Sequence, residues 1–355
     1  MSDPGRSRAR RSCGWLACLV ALMLCAPAAD AVVDGGAGSR MAARMGRGIN
    51  ILGYDGLWEG GLDAPFRRTD FAGIRRAGFA HVRINLHAFQ HMDAQNRLDP
   101  AILRRLDWAV EGALEAGLVP VVDEHDFSDC QSAPAACADK LRSFWRELAV
   151  HYAGRHPDLV FELLNEPGGQ VTPEEWNVLA ADLLSIIRAS NPQRTVIVAS
   201  LNVEDTSVIR RLRLPEADRN IIVTFHYYKP MRFTHQGAPW APEFASAGRV
   251  EWGSADDEAR LRSDFDLVRV WAEETRRPIY LGEFGVYEAA GPALRARWSA
   301  FVAREAEARG WPWAIWQFDH DFALFDTDRR RWLAPLLDAL IPPAETGREA
   351  PRRRR

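Results

Sequence analysis

The sequence predicts an α/β protein built as a single (β/α)₈ barrel of the TIM type, and three observations support this prediction. Eight short apolar runs alternate with stretches of helical periodicity. The runs are continuously apolar, as in Val119–Val122 and Ile221–Val223, which is typical of strands covered on both faces. No glycine-rich phosphate turn follows the first run, which disfavours a dinucleotide-binding sheet. The 355 residues accommodate one barrel of roughly 250 residues with insertions.

The predicted strands share an apolar core, and most of them end in a polar or aromatic residue. They are Gly48–Tyr54, His81–Leu86, Leu118–His125, Leu159–Asn165, Thr195–Ser200, Ile221–Tyr227, Pro278–Glu283 and Trp313–Phe318. Eight strands that alternate with helices indicate parallel pairing, because each connection is long enough for a crossover helix.

The predicted helices carry apolar residues at helical spacing and end at usual stop residues. In the second of them, Ile102, Leu106 and Val110 lie on one stripe and Gly117 follows the last turn. The predicted helices are Asp70–Ala77, Pro100–Ala116, Lys140–Tyr152, Pro173–Ala189, Ala255–Thr275, Pro292–Arg309 and Leu333–Leu340.

Residues 1–31 have the pattern of a secretory signal peptide: a basic start, the apolar run Trp15–Leu24, and small residues at Ala29–Ala31. The run is about half of the roughly twenty residues that a membrane span needs. We therefore expect a secreted or periplasmic protein with no integral membrane segment after signal removal. A lipoprotein signal at Cys18 or Cys25 is the alternative, but neither cysteine has a suitable preceding sequence.

The rest of the chain divides into a Gly/Ala-rich linker at residues 32–46, the barrel at 47–342 and a disordered basic tail at 343–355. The net charge of −3 includes arginine-rich ends, so the barrel itself is more acidic than this value. An acidic body argues against nucleic acid as a partner. No second domain or internal repeat is evident, and we expect a monomer.

Two cysteines remain after signal removal, Cys130 and Cys137. A close, even pair in an exported protein suggests a disulfide that closes a small loop. Two free thiols are the alternative.

The candidate functional residues stand at the carboxyl ends of six predicted strands. In a parallel barrel these ends meet at one mouth, so their side chains converge there. The residues are Arg83, Asp123 with His125, Asn165 with Glu166, His226 with Tyr228, Glu283, and Trp316.

The two glutamates at these ends, Glu166 and Glu283, indicate a carboxylate pair facing across the mouth. Burying a carboxylate after an apolar strand costs free energy unless a partner compensates its charge. Glycoside hydrolysis uses such a pair, and the gap between the two groups determines whether the anomeric configuration is retained or inverted. The structural alternatives are a helix-capping Glu166 and a salt-bridged Glu283.

The remaining strand-end residues have physical roles in such a site. Arg83 would keep a nucleophilic carboxylate ionised, although a structural ion pair is the alternative. Tyr228 would donate its hydroxyl to the same carboxylate, and Asn165 would donate to the sugar 2-hydroxyl. His125 and His226 would bind substrate or orient the carboxylates.

Aromatic residues are expected to provide the sugar-binding surface, because indole rings stack on the apolar faces of sugars. Trp316 is the candidate for the ring being cleaved. Trp58, Trp145, Trp240 and Trp252 lie in or near predicted loops and are candidates for the cleft, with ordinary packing as the alternative.

Two other kinds of site are disfavoured by motif. The chain has no His-Glu-x-x-His spacing, and His125 and His226 have no clear third ligand, so we expect no metal. It also has no Gly-x-Ser-x-Gly elbow of a serine hydrolase.

These residues resemble the pattern of glycoside hydrolase family 5, the cellulase family, from about Gly48 to Leu340. The resemblance rests on Arg83 in Val82–Asn85, His125 in Asp123–His125, Asn165-Glu166-Pro167, the pair His226 and Tyr228, Glu283 in Gly282–Gly285, and Trp316 in Ala314–Gln317. It implies a (β/α)₈ barrel, a retaining mechanism, no cofactor, and a β-linked glucan or mannan substrate. It also implies Glu166 as general acid/base and Glu283 as nucleophile. Asp126, after His125, departs from the His or Asn of many members.

The predicted function is therefore that of a secreted retaining endo-β-1,4-glucanase. The alternatives of the same class are a β-mannanase and a β-glucanase for β-1,3, mixed-linkage or xyloglucan chains. A non-catalytic glycan-binding barrel is the alternative of another class. An enzyme that trims a polymer exported by its own cell is a further possibility.

Overall fold

The computed structural model describes residues 36–60, 64–201, 205–245 and 248–342 and contains a closed barrel of eight parallel strands. Each strand pairs with the next, and the eighth pairs with the first, which confirms the predicted architecture. The barrel strands are β1 Arg47–Ile51, β2 His81–Leu86, β3 Val119–Glu124, β4 Val160–Glu162, β5 Val196–Ala199, β6 Ile221–Tyr227, β7 Ile279–Phe284 and β8 Trp313–Ile315. A two-stranded hairpin follows, β9 Phe325–Asp326 and β10 Arg331–Trp332. The predicted signal peptide and basic tail lie outside the described residues.

Helices connect the strands and cover the outside of the barrel. They are α1 Gly36–Met45, α2 Arg68–Arg76, α3 Pro100–Glu115, α4 Phe127–Ser132, α5 Pro134–His151, α6 Pro173–Ser190, α7 Met231–Thr234, α8 Pro242–Ala245, α9 Ala255–Thr275, α10 Pro292–Ala308 and α11 Ala334–Leu340. Short 3₁₀ turns occur at Phe89–His91, Thr206–Arg211, Glu288–Ala290 and His320–Phe322. Across the described ranges, every helix is too short or too polar for a membrane crossing.

The start of α6 illustrates how local sequence sets a helix boundary. The hydroxyl of Thr172 accepts a hydrogen bond from the backbone N–H of Glu175, and the Glu175 carboxylate accepts one from the N–H of Thr172. Pro173 occupies the first helical position, where its missing N–H costs nothing. This reciprocal cap is the reason that the helix begins where the sequence predicts.

The expected linker at residues 32–46 is wrong for its second part, because Gly36–Met45 form α1. Met41, Ala42 and Met45 are buried and pack with residues near the amino ends of the barrel strands, among them Val119 and Ile222. The inward-facing side chains at this end form an apolar layer that must be covered from water. The Gly/Ala-rich composition hid this helix, whose buried positions are spaced at helical intervals.

Strand β4 ends at Glu162, three residues before its predicted end at Asn165. Leu163 and Leu164 are buried although they lie outside the ladder. Burial continues past the strand because the chain runs into the barrel mouth, where neighbouring loops cover it. An apolar run in the sequence therefore predicts the extent of the buried segment better than it predicts the extent of the strand.

The long connections after β6 and β8 form much of the rim of the mouth. The first contains α7 and α8, and the second contains the His320–Phe322 turn and the β9–β10 hairpin. None of these elements was predicted, because segments of two to four residues have no measurable periodicity. They place His235, Trp240 and Phe322 beside the strand ends.

Candidate active site

A cleft of about 350 Å³ opens at the carboxyl ends of the barrel strands. Six of the predicted site residues line it: His125, Asn165, Glu166, Tyr228, Glu283 and Trp316. Sequence reasoning did not single out Tyr54, Phe127, His235, Gln317, Asp321 and Phe322, which also line it. The predicted substrate contacts Arg83 and His226 are fully buried behind the carboxylates, so they contact the site's own residues rather than the open cleft.

Glu166 and Glu283 meet at one point of this cleft. Nδ1 of His226 lies 2.7 Å from Oε1 of Glu166 and 3.6 Å from Oε2 of Glu283. An oxygen of each carboxylate and a nitrogen of this histidine all lie within 4.8 Å of one another. Two side chains that are far apart in the sequence are thus close enough to act on the same small group.

Glu283 is held at both carboxylate oxygens. Nη1 of Arg83 donates to Oε1 at 2.6 Å, and the hydroxyl of Tyr228 donates to Oε2 at 3.0 Å. Gly282 makes room for this arrangement, since a Cβ there would lie 2.9 Å from Nε2 of His226. The backbone of β7 can therefore approach β6 closely at the position just before Glu283.

Arg83 is the centre of a buried polar network that the sequence analysis missed. It binds Glu162 through two hydrogen bonds, at 2.8 and 2.9 Å, and donates to Asn50 and Asn165 at 2.9 Å. Its Nη2 also lies 3.0 Å from Asp123. Glu162 interrupts an otherwise apolar strand, and such a charge needs a buried partner. This charged residue within an apolar run was the feature of the sequence that could have indicated the network.

Asn165 and His125 are oriented by the same network. Oδ1 of Asn165 accepts from Arg83, which leaves the amide nitrogen to face away from the guanidinium. Nδ1 of His125 lies 2.5 Å from Oδ2 of Asp123. The His125 ring stacks on Trp316 with an interplanar angle of 4° and 5.6 Å between centroids. Asp123 and Arg83 thereby fix two residues of the cleft surface from beneath.

Burial dominates the protonation of the pair. It raises the pKa of Glu166 to about 7 and that of Glu283 to about 7, although His226 and Arg83 lower the latter. Burial thus opposes the expected effect of Arg83 in keeping Glu283 ionised, and this cation also faces Glu162 and Asp123. Glu283 accepts two donors, whereas Glu166 bonds an imidazole, so we place a shared proton on Glu166.

His226 is a neutral imidazole at ordinary pH. Burial is the main reason that its pKa is lowered to about 4; the charge of Glu283 opposes this shift and that of Arg83 adds to it. A neutral ring can donate one hydrogen bond from Nδ1 to Glu166 when that carboxylate is ionised and accept one when it is protonated, depending on the tautomer. The ring can therefore contact Glu166 in either protonation state.

Exposed aromatic rings flank the carboxylates. Tyr54 is 56% exposed, with its ring centroid 6.2 Å from that of Trp316. Trp240 is 49% exposed and lies edge-on to Tyr287 at 4.9 Å. Exposed aromatic side chains of this size provide stacking surfaces for ligands.

Three of the candidate cleft tryptophans do not reach the cleft. Trp58, Trp145 and Trp252 are buried in the core around the barrel. The indole N–H of Trp58 donates to a backbone carbonyl at 2.7 Å, and that of Trp145 does so at 3.0 Å. Trp145 lies in α5, and its burial follows from that helix packing on the barrel. The positions of Trp58 and Trp252 near predicted loops were misleading, because aromatic rings from loops also fill the space between helices and strands.

Glu166, His226 and Glu283 are a group whose ligand-type atoms could surround a metal ion. The guanidinium of Arg83, 2.6 Å from Oε1 of Glu283, opposes a second cation at this point. The carboxylate pair can also act on a glycosidic bond without a metal ion. The absence of a metal stays a prediction.

Cys130 in α4 and Cys137 in α5 are placed as a pair at disulfide distance, with 4.9 Å between their Cα atoms. This spacing is within the range that a disulfide requires. The bond itself stays a prediction.

The comparisons with known proteins all indicate one family of enzymes. The profile of the cellulase family, glycosyl hydrolase family 5, matches residues 44–321. Endoglucanase H of Acetivibrio thermocellus is 28% identical over 312 residues, which cover 85% of this chain but 33% of that protein. The chain therefore spans about a third of the length of that relative. Cellodextrinase A of Ruminococcus flavefaciens is 28% identical over 280 residues, covering 74% of this chain and 82% of that protein.

The fold has close relatives among solved structures. Cel5A of Thermotoga maritima in complex with mannotriose superposes with a TM-score of 0.79 at 35% identity. The superposition covers 86% of this chain and 100% of that one. A further structure of the same enzyme is in complex with cellobiose.

Proposed function

The chain belongs to the cellulase family, glycosyl hydrolase family 5, and is a glycoside hydrolase, and from this premise we propose that it hydrolyses β-glucan with retention of configuration. The observation that carries the proposal is the approach of Glu166 and Glu283, which have carboxylate oxygens within 4.8 Å of each other. Retaining enzymes place the two carboxyl groups about 5–5.5 Å apart, and inverting enzymes about 6.5–9.5 Å apart. The short separation supports a covalent intermediate.

Glu283 is the nucleophile of this mechanism and Glu166 the general acid. An oxygen of Glu283 attacks the anomeric carbon while the bond to the leaving oxygen breaks, and that oxygen takes the proton of Glu166. In the second step Glu166 removes a proton from water. The resulting hydroxyl bonds to the anomeric carbon and releases the carboxylate of Glu283.

The surroundings of the two carboxylates support this assignment of roles. Arg83 and Tyr228 donate to both oxygens of Glu283, which favours its ionised form and fixes its orientation. Burial raises the pKa of Glu166 to about 7, so this group can carry a proton near neutral pH and lose it in the second step.

We propose an endo-acting β-1,4-glucanase. The names of the relatives, endoglucanase H and cellodextrinase A, support a β-glucan substrate. The exposed rings of Tyr54 and Trp240 border the cleft and would stack on sugar residues beside the cleaved one. The amide of Asn165 would donate to the sugar 2-hydroxyl, and Trp316 would lie against the ring being cleaved.

A mannanase activity is the second candidate. Cel5A of Thermotoga maritima, at 35% identity, has structures in complex with mannotriose and with cellobiose. Glucan and mannan differ in the configuration of the hydroxyl group at carbon 2 of the sugar, and this is the hydroxyl to which Asn165 would donate. A screen for released reducing sugar over carboxymethyl cellulose, mixed-linkage glucan, xyloglucan and mannan ranks the candidates directly.

Secretion is part of the proposal and rests on the sequence of residues 1–31. The pairing of Cys130 and Cys137 fits an oxidising compartment, where such bonds persist. Detection of the protein in periplasmic and culture fractions tests the location. Sedimentation of the mature protein tests the expected monomer.

The mechanism is tested with an aryl β-cellobioside. Glu283→Ala should lose all turnover, and Glu166→Ala should be rescued by azide with formation of a β-glycosyl azide. Glu216→Ala is the matched control, because it removes an exposed carboxylate from the loop before β6. This variant should keep wild-type rates. A Glu283→Ala variant with a tenth of the wild-type rate would contradict the proposal. Glycan binding without any sugar release would favour a non-catalytic barrel.

A further inference from the structure

The loop that carries Glu166 packs against α4. Nε2 of Gln131 donates to the backbone carbonyl of Glu166 at 3.1 Å, and the carbonyl of Gln131 accepts from the N–H of Gln170 at 3.0 Å. A Cβ at Gly169 would lie 2.6 Å from Cβ of Gln131. The two segments are therefore in backbone-to-backbone contact that leaves no space for a side chain at Gly169.

The backbone at Glu166 needs support from its surroundings. Its φ of 39° lies in the left-handed region, which is uncommon for a residue other than glycine. The following Pro167 restricts the backbone of Glu166 further. Such a conformation is energetically disfavoured and persists when neighbouring contacts hold it.

Two contacts hold Glu166 from opposite directions. The side chain of His226 lies 2.7 Å from the carboxylate, on the barrel side. The side chain of Gln131 holds the carbonyl on the outer side, and the N–H of Asn165 donates to Glu124 at 2.8 Å just before it. Because the carboxyl group is attached at Cα, a change in φ or a displacement of the Glu166 backbone moves the carboxyl group.

The position of Gln131 is itself restrained. Cys130, the preceding residue, is fully buried and lies at disulfide distance from Cys137 in the first turn of α5. A bond between them would tie α4 to the helix that covers the barrel. Gln131 is not among the residues that line the cleft, so it acts on the substrate only through other residues, of which Glu166 is the one that its side chain contacts.

We propose that Gln131 is a positioning residue that aims the proton of Glu166 at the leaving oxygen. The inference rests on the proposed function and adds to it a residue that touches neither substrate nor nucleophile. Its removal would let the backbone of Glu166 relax from its left-handed conformation and would displace the carboxyl group from the line of proton transfer. A small displacement is enough to reduce the rate strongly, because proton transfer requires hydrogen-bond geometry.

Proton donation matters in proportion to the basicity of the leaving group. A 2,4-dinitrophenolate departs without a proton, whereas an unsubstituted phenolate or a sugar alkoxide needs one. A mispositioned acid therefore slows the first step for poor leaving groups and leaves it unchanged for good ones. A general loss of folded protein lowers both rates equally.

The experiment compares wild type with Gln131→Ala and Gln131→Glu on aryl β-cellobiosides that range from dinitrophenyl to phenyl leaving groups. Gln131→Glu keeps the size of the side chain and loses the donor when ionised. We expect kcat/KM to fall about 10-fold to 100-fold for the phenyl substrate and less than about threefold for the dinitrophenyl substrate. The alkaline limb of the pH profile should also shift, since the environment of Glu166 changes.

Ser132→Ala is the matched control, because its hydroxyl bonds within α4 and it leaves the Glu166 carbonyl untouched. Its rates should equal those of wild type for every leaving group. A uniform loss across the series in the Gln131 variants, or no loss, would overturn the inference. Glu166→Ala separates the two proposals: if it too shows no dependence on the leaving group, the proposed function fails. If it shows a steep dependence and the Gln131 variants do not, the role of Gln131 alone is refuted.

Discussion

Nη1 of Arg83 lies 2.6 Å from Oε1 of Glu283, although the two residues are 200 positions apart in the chain. The same guanidinium binds Glu162 through two hydrogen bonds and lies 3.0 Å from Asp123. One cation is thus shared by three buried carboxyl groups. This sharing explains why the pKa of Glu283 stays raised by burial in spite of a direct ion pair.

Arg83→Lys should abolish most of the activity while keeping the charge. A lysine ammonium is a point charge that cannot bind both oxygens of Glu162 and still reach Glu283. We expect kcat/KM to fall by about 100-fold or more and the free energy of unfolding to fall by about 3–5 kcal/mol, as when a buried pair is broken. Initial rates on an aryl β-cellobioside and urea titrations measure both. Arg142→Lys, which alters a surface ion pair, is the control. Rates within threefold of wild type would refute the shared role of Arg83.

The pH profile of kcat/KM should fall on both sides of neutrality. In the proposed mechanism Glu166 must carry its proton, so the rate falls as pH rises through its pKa of about 7. Glu283 must be ionised, so the rate falls as pH drops, and the two limbs report the interacting pair rather than single groups. In the wild type this alkaline limb should be present on a phenyl substrate and weak on a dinitrophenyl substrate, which needs no acid, and Glu166→Gln should show no alkaline limb on the dinitrophenyl substrate. An unchanged alkaline limb in that variant would assign it to another group.

Glu166→Gln should stabilise the folded protein at alkaline pH. The pKa of Glu166 is raised from 4.5 to about 7, chiefly by burial, so the folded state binds the proton more tightly than the unfolded state. The stability linked to this proton is complete below pH 4.5 and is lost as pH rises through about 7. The variant should be more stable than wild type by on the order of 1–2 kcal/mol near pH 8 and equal to it near pH 4. Urea denaturation at both pH values measures this, with exposed Glu216→Gln as the control. A variant less stable than wild type at pH 8 would contradict the expected sign.

Trp240→Ala should weaken polymer and oligosaccharide binding without affecting the fold. The ring is 49% exposed and borders the cleft, so its loss removes a stacking surface and little core packing. We expect KM for cello-oligosaccharides to rise about threefold to tenfold, the equivalent of roughly 1 kcal/mol of stacking. Tm should stay unchanged. Val178→Ala, exposed on α6 away from the cleft residues, is the control. An unchanged KM would exclude Trp240 from sugar binding.

Replacing both Cys130 and Cys137 by serine should destabilise the protein moderately. The loop they close is short, with a sequence separation of 7, so the entropic effect on the unfolded chain is about 2–3 kcal/mol. Urea denaturation of the mature protein measures the difference, and thiol titration under denaturing conditions checks the bond. A wild-type protein with two reactive thiols and no loss of stability in the variant would show that the pair is unbonded.

The strand-end residues could be predicted because the topology leaves little choice. Once eight parallel strands close into a barrel, every carboxyl end lies at the same mouth, so Glu166 and Glu283 must face one cleft wherever they are in the sequence. The apolar runs and helical periodicity that establish this topology are local properties. Thr172 and Glu175 predict the start of α6 correctly because a helix cap is likewise a local property.

Other features depended on contacts between distant segments. Trp58 and Trp240 both lie in connecting segments, yet one is buried and the other half exposed, because the neighbours that cover a ring come from other parts of the chain. The helix α1 exists because the amino end of the barrel presents an apolar layer to cover, a surface that residues 36–45 do not reveal.

The barrel, the two acidic residues and the identity of the side chains around them could be predicted from the sequence, since they follow from periodicity and from position at strand ends. The distance between the carboxyl groups, the contacts of Arg83 with three of them, and the hydrogen bond from Gln131 to the backbone of Glu166 became visible in the folded chain. Distances, shared charges and desolvation arise from three-dimensional packing, in which side-chain orientation and the exclusion of water depend on many segments at once.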